Sequence, residues 1–192
     1  MESRQATEHL DIVSDILHRA EFGNPPAVQF IVWGIVGVAF NIAGQLVTLG
    51  KAGPQAFWVA GVVLALALVV SIWDMSRTQR AAGRLTTIGR LAAVSFWTAA
   101  AVMGTITILS EMTKLFPPFA PSVLFAAGMS TVLLTLGFGL RFRPLALGGL
   151  ALLGSIVIAF LIPSWLGAII AAGNVAGFIV PGVLFAVTKT DG

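Results

Sequence analysis

The chain of 192 residues contains no cysteine and no tyrosine, only two histidines, and charged residues at just 10%. Without cysteine there are no disulfides, thiolate metal sites or iron–sulfur clusters. His9 and His18 both fall in the N-terminal segment, so no apolar stretch offers imidazole to a haem, which excludes a bis-histidine cytochrome. Lys51, Lys114 and Lys189 all lie outside the apolar stretches, which excludes a retinal Schiff base in mid-membrane. No cofactor is expected beyond a bound lipid.

Scarce charge is the counterpart of abundant apolar surface. Hydrophobic residues make up 57% of the chain, and the mean hydropathy of +0.96 leaves too little polar surface for a water-soluble domain. Six apolar runs stand out, at about 28–49, 56–73, 91–110, 122–140, 145–162 and 164–187. A helix needs about 20 residues to cross a hydrocarbon layer of about 30 Å. The runs therefore predict an all-α, polytopic bundle of six transmembrane helices, a single membrane domain over 25–188 with a short tail at 189–192.

Lys and Arg set its orientation. Arg4, Arg19, Arg77, Arg80, Arg84, Arg90, Arg141, Arg143 and Lys189 fall on one side of the alternation, against Lys51 and Lys114 on the other. Cytoplasmic segments retain Lys and Arg, so both termini are expected inside. The formal charge of +3 is then explained by insertion, and no nucleic-acid partner is implied. Punctuation supports the boundaries: Gly53-Pro54, Pro117-Pro118, Pro144 and Pro163 each stand beside the start of an apolar run. Between Ile162 and Ser164 almost no loop remains, so the last two crossings should form a tight antiparallel hairpin.

Residues 1–24 read differently. Leu10, Val13, Leu17 and Ala20 follow helical spacing opposite Glu8, Asp11, Asp15 and Arg19, which predicts a short amphipathic cytoplasmic helix. Its acidic face suits a protein surface better than anionic lipid, and no basic leader precedes an apolar core, so a cleavable signal is not expected. Between Thr113 and Ser122, three prolines with Phe116 and Phe119 form a stiff apolar outer loop.

The apolar runs hold no Asp, Glu, Lys, Arg or His. Acid–base catalysis and ion-coupled transport usually need such a group at depth, so an enzyme is not expected. What remains is amide and hydroxyl polarity. Gly37, Asn41 and Gln45 share one face of the first crossing, and Gly167, Ala171, Asn174, Gly177 and Pro181 share one of the last, with Asn41 and Asn174 at similar depth. Two readings fit: adhesion between helices, including a bond between the two asparagines, or a polar pocket lined by Asn41, Gln45 and Asn174. Ser95, Thr98 and Thr105 on crossing three, with Ser130, Thr131 and Thr135 on crossing four, carry hydroxyls that can bond their own helix. Pro181 should kink the last helix. Arg77, Arg80, Arg84, Arg90, Arg141 and Arg143 fit topological anchoring, or contact with anionic lipid or a partner. Trp58, Trp73 and Trp165 fall near the interfaces, whereas Trp33 and Trp97 lie deeper, where they can pack within the bundle.

Trp33-Gly34, the stretch from Arg141 through Pro144 to Gly149, and Ile179-Val-Pro-Gly-Val-Leu-Phe185 resemble segments of small, poorly characterised bacterial six-helix membrane proteins with a short polar N-terminal helix. The resemblance implies a bacterial cytoplasmic (inner) membrane and carries no activity. With it, the sequence favours a non-enzymatic accessory, scaffold or signalling subunit of a membrane assembly, partnered by lipids and by another membrane protein or a homo-oligomer mate. A small transporter or channel for a neutral or apolar molecule is the alternative.

Overall fold

The computed structural model describes residues 27–82, 120–139 and 143–188, together with Val94, Trp97, Thr98, Ala101, Val102, Thr105, Ile106 and Leu109 of the third apolar run, all eight helical. The expected N-terminal helix, most of the third crossing, the Pro-Phe loop and the tail lie outside the described residues. So do Arg84, Arg90 and Arg141.

Among the described residues the chain is entirely helical. Helix α1 spans Ala27–Thr48, α2 Ala56–Ala82, α3 Ala120–Gly139 and α4 Arg143–Leu161. A 3-10 turn, Pro163–Trp165, leads into α5, Leu166–Asn174, which runs through a π turn at Val175–Ile179 into α6, Val180–Thr188. Five helical stretches are long and apolar enough to cross a membrane: Ala27–Thr48, Ala56–Arg77, Ser122–Gly139, Arg143–Leu161 and Pro163–Val187.

Local chemistry explains where these helices stop. Gly50, at φ 65°, ends α1: its N–H reaches the Val47 carbonyl at 3.0 Å and the Lys51 N–H reaches Leu46 at 2.9 Å. A left-handed residue closing these two bonds satisfies carbonyls that a helix otherwise leaves open. Helix α2 continues through Ala82, past the apolar run that ends at Trp73, because Met, Arg, Gln and Ala are good helix formers. Apolarity limits the crossing, not the helix. The hairpin between α4 and α5 is as tight as the sequence predicts, with only Ile162 and the 3-10 turn between them.

Packing places the last helix at the centre. Helix α1 packs against α2 on one side and against α5, the π turn and α6 on the other; α4 packs against the far side of that last helix and against α3. Met129, Leu133, Leu145, Leu152 and Ile170 fill the core with almost no exposure. Helix α2 is peripheral, burying Ala60, Ala67 and Ser71 while Val59, Val62, Leu66, Val69 and Ile72 stay exposed, as does Trp58 at 79%. An apolar face that broad suits contact with lipid rather than water. Trp33 and Trp97 meet edge to face, ring centroids 5.7 Å apart, which sets Trp97 against α1.

Pro181 bends the last helix less simply than expected. It lacks the N–H that would bond the Gly177 carbonyl, and the chain inserts a π turn just before it, so that the Val180 N–H reaches back to Val175. The Gly177 carbonyl then rests against Gly148 of α4, where an added Cβ would lie 2.7 Å from its oxygen. Such closeness permits Cα–H contacts with the carbonyl and dense dispersion, the main attractions between helices in lipid.

Candidate functional site

The polar residues singled out from the sequence meet along one seam, between α1 and the last helix. Gln45 is 6% exposed, and both its Oε1 and its Nε2 are engaged. Its Oε1 accepts from the Gly167 N–H at 2.9 Å and the Ala168 N–H at 3.3 Å, while its Nε2 donates to the Ser164 carbonyl at 2.7 Å. Helix α5 begins at Trp165, whose side chain makes no capping bond. Its first N–H groups have no partner within the helix, and in an apolar setting no water to replace one. Gln45 is therefore the N-cap of α5, supplied by another helix.

Asn174, 4% exposed, packs directly against Gly37: an added Cβ on Gly37 would fall on the Asn174 amide. The sequence reading brought Asn41 and Asn174 to one depth, and both do meet at Gly37. They do not bond each other. The Asn41 Nδ2 donates to the Gly37 carbonyl at 2.8 Å and the Asn174 Nδ2 to the Ile170 carbonyl at 2.9 Å, each within its own helix. An asparagine four residues after a carbonyl on the same face reaches it with less loss of entropy than an amide across the seam. The Asn41 Oδ1 is buried and has no hydrogen-bond partner among the described residues.

That orphan gives a sharp expectation. Since the Asn41 side chain forfeits hydration of its carbonyl for one local bond, Asn41→Leu should leave the unfolding midpoint unchanged or raise it by up to about 1 kcal/mol equivalent. Thermal unfolding followed by circular dichroism in detergent checks it.

Hydroxyls are spent in the same way. The Ser130 Oγ donates across to the Gly149 carbonyl at 2.8 Å, joining α3 to α4. Thr131 and Thr105 bond back to Ala127 and Ala101, at 3.0 and 2.9 Å, and Ser155 bonds Leu152 at 2.6 Å with Gly173 packed on it. None of these bonds joins Asn41, Gln45 and Asn174 into one polar network.

At the opposite end of α1 a second polar link escaped the sequence reading. The Gln29 Nε2 donates to the Ser71 carbonyl at 3.1 Å and to the Asp74 Oδ2 at 3.2 Å, tying α1 to α2. Antiparallel neighbours place the start of one helix beside the end of the next, so Gln29 and Asp74 were a readable pair. Of the six arginines offered as anchors or partner contacts, Arg77 is exposed, with its guanidinium 5.5 Å from the centre of the Trp73 ring, Arg80 continues α2, and Arg143 opens α4 on its exposed side. Arg77 and Trp73 together make an interfacial anchor: a cation over an aromatic face at the apolar boundary.

These features define an all-helical bundle with several candidate membrane spans, closed along its central seam by side-chain amides and glycine contacts. No family model matches the chain, and no curated protein or solved structure is similar enough to match it.

Proposed function

We propose that this chain is a non-enzymatic integral membrane protein of a bacterial cytoplasmic membrane, with six crossings and both termini inside, acting as an accessory, scaffold or signalling subunit of a larger membrane assembly. One observation carries the reading: Gln45, the most deeply committed polar side chain of the first crossing, has both ends of its amide occupied by the backbone of the last helix. A residue used in this way joins helices, with only its second Nε2 hydrogen left uncommitted. The described spans also keep ionisable side chains at their ends, as Asp74, Arg77 and Arg143 do. Lipids cover the outer faces of α2 and α4, and the acidic N-terminal segment and the Arg77-to-Arg90 stretch share the cytoplasmic side, where a partner protein or a second copy can engage them.

Purification in mild detergent, with mass spectrometry of what co-isolates, tests the proposal. A partner or second copy in fixed stoichiometry is expected; a lone monomer from native membranes counts against it. The unpaired Asn41 Oδ1 is the one observation that favours the transport alternative. For that reading, flux or ligand binding would have to vanish in both Asn41→Leu and Asn174→Leu while the protein stays folded.

A further inference from the structure

The hairpin tip between α4 and α5 has a composition unlike that of a loop in water. Leu161, Ile162, Pro163 and Trp165 are exposed, and Ser164 is the only polar residue among them. No charged residue occurs anywhere from Pro144 to Thr188. At the same end of the bundle, Lys51 marks water just beyond the end of α1.

Two lengths place the tip. Helix α4 starts at Arg143, whose charge holds it at the inner boundary, and its 19 residues rise about 28 Å, which ends just within a hydrocarbon layer of about 30 Å. On α1, Gln45 stands three residues before the helix end at Thr48, about 5 Å below it. A helical side chain leans toward the start of its own helix, so the Gln45 amide lies no nearer the outer end than its Cα. Ser164, whose carbonyl that amide holds at 2.7 Å, is drawn below the level of the α1 terminus with it.

The cap itself supports the same placement. A helix that begins in water leaves its first N–H groups to solvent at little cost, whereas one that begins in an apolar layer must find acceptors in protein. Helix α5 has no cap of its own and takes a buried amide from α1.

We propose that residues 161–165 form a lipid-seated tip, held in the boundary between acyl chains and headgroups on the face that carries Lys51, and never exposed to bulk water. The proposal rests on the membrane-spanning reading above. Its occupant is the lipid interface, continuous with the lipid that covers Val157, Phe160 and Leu161 on the outer face of α4. Trp165 suits that layer, since an indole is most comfortable at the headgroup level.

The absence of cysteine makes the test clean. Single variants Ser164→Cys, Lys51→Cys and Val157→Cys are prepared, with Ile162→Cys as a second tip position should Ser164→Cys fold poorly. Each is reacted with a membrane-impermeant maleimide in native membranes and, after purification, in phosphatidylcholine vesicles at high lipid-to-protein ratio. Positions 51 and 164 lie at the same end of the bundle, so the comparison does not depend on orientation. The tip variants are expected to react at least about tenfold more slowly than Lys51→Cys in both settings, because apolar surroundings suppress the reactive thiolate. Equal rates in both settings would make the tip an aqueous loop and overturn the proposal. Protection in native membranes that vanishes in the vesicles would assign the cover to a protein partner and overturn it too. If Val157→Cys, in the middle of α4, also reacts as fast as Lys51→Cys, the spanning reading itself fails.

Discussion

Gln45→Leu should be the most damaging single substitution on the central seam, lowering stability by about 3 kcal/mol. Leucine is close to glutamine in volume and brings no polar atom of its own to bury, so the loss falls on hydrogen bonding. Two N–H groups at the start of α5 and the Ser164 carbonyl each lose their partner at once. Leaving a buried donor unsatisfied costs about 1–3 kcal/mol, and removing a helix cap about 1 kcal/mol. Partial recovery through local rearrangement keeps the total below the simple sum. Gln45→Glu separates the contributions, because a carboxylate still accepts at a helix N-terminus, where the dipole favours it, but cannot donate to Ser164 and brings a charge into an apolar site. Its expected stability lies between wild type and Gln45→Leu. Reversible unfolding in mixed micelles with increasing denaturing detergent ranks the three, and Asn41→Leu at or above wild type in the same series completes the contrast.

Gly148→Ala is the second large effect. The added methyl would stand 2.7 Å from the Gly177 carbonyl oxygen, 3.2 Å from the Gly177 Cα and 3.1 Å from the Pro181 ring. Backbone and a proline ring are poor at yielding, so α4 and the last helix must separate, and the loss of contact spreads along both. Overpacking of this kind costs about 1–3 kcal/mol, here toward the upper end because no flexible side chain can absorb the methyl. Gly154→Ala, six residues along the same helix, meets nothing within 4 Å. It should be neutral, or slightly stabilising through the higher helix propensity of alanine, by a few tenths of a kcal/mol up to about 1. Measuring both in one unfolding assay removes any general effect of replacing glycine in α4. Equal behaviour of the two would refute the close approach of α4 to the last helix.

Five of the six expected spans were readable from apolar length, and the turns between them from glycine and proline, because lipid forces backbone groups to bond internally. Depth was readable as well: opposed helices put Asn41 near Asn174, and both asparagines meet at Gly37. The identity of each bond was not. The sequence shows which side chains share a face, but the partner of Gln45 is a pair of backbone N–H groups 122 and 123 residues away, left open by the way α5 begins. Such groups have no letter in the sequence. Pro181 poses the same difficulty. Its missing donor is plain from the residue, whereas the π turn before it packs where Gly34 leaves room for Phe178 and Ile179 and Gly148 for the Gly177 carbonyl. Gln29 with Asp74 was within reach, since both stand at the same end of neighbouring helices, and attention to span ends as well as centres would have found it.

The central claim is that Gln45 joins the first helix to the last, and that the amides of Asn41 and Asn174 beside it do not line a watery path. The chain has three asparagines, Asn24, Asn41 and Asn174, so selective ¹⁵N-asparagine labelling yields three side-chain amides. Hydrogen exchange of those amides with deuterated water, recorded by NMR on the protein in lipid, tests the claim in the wild-type chain. The account predicts rapid loss of the Asn24 signal and persistence of Asn41 and Asn174. Exchange of all three together would contradict it and establish a hydrated passage between the first and last helices.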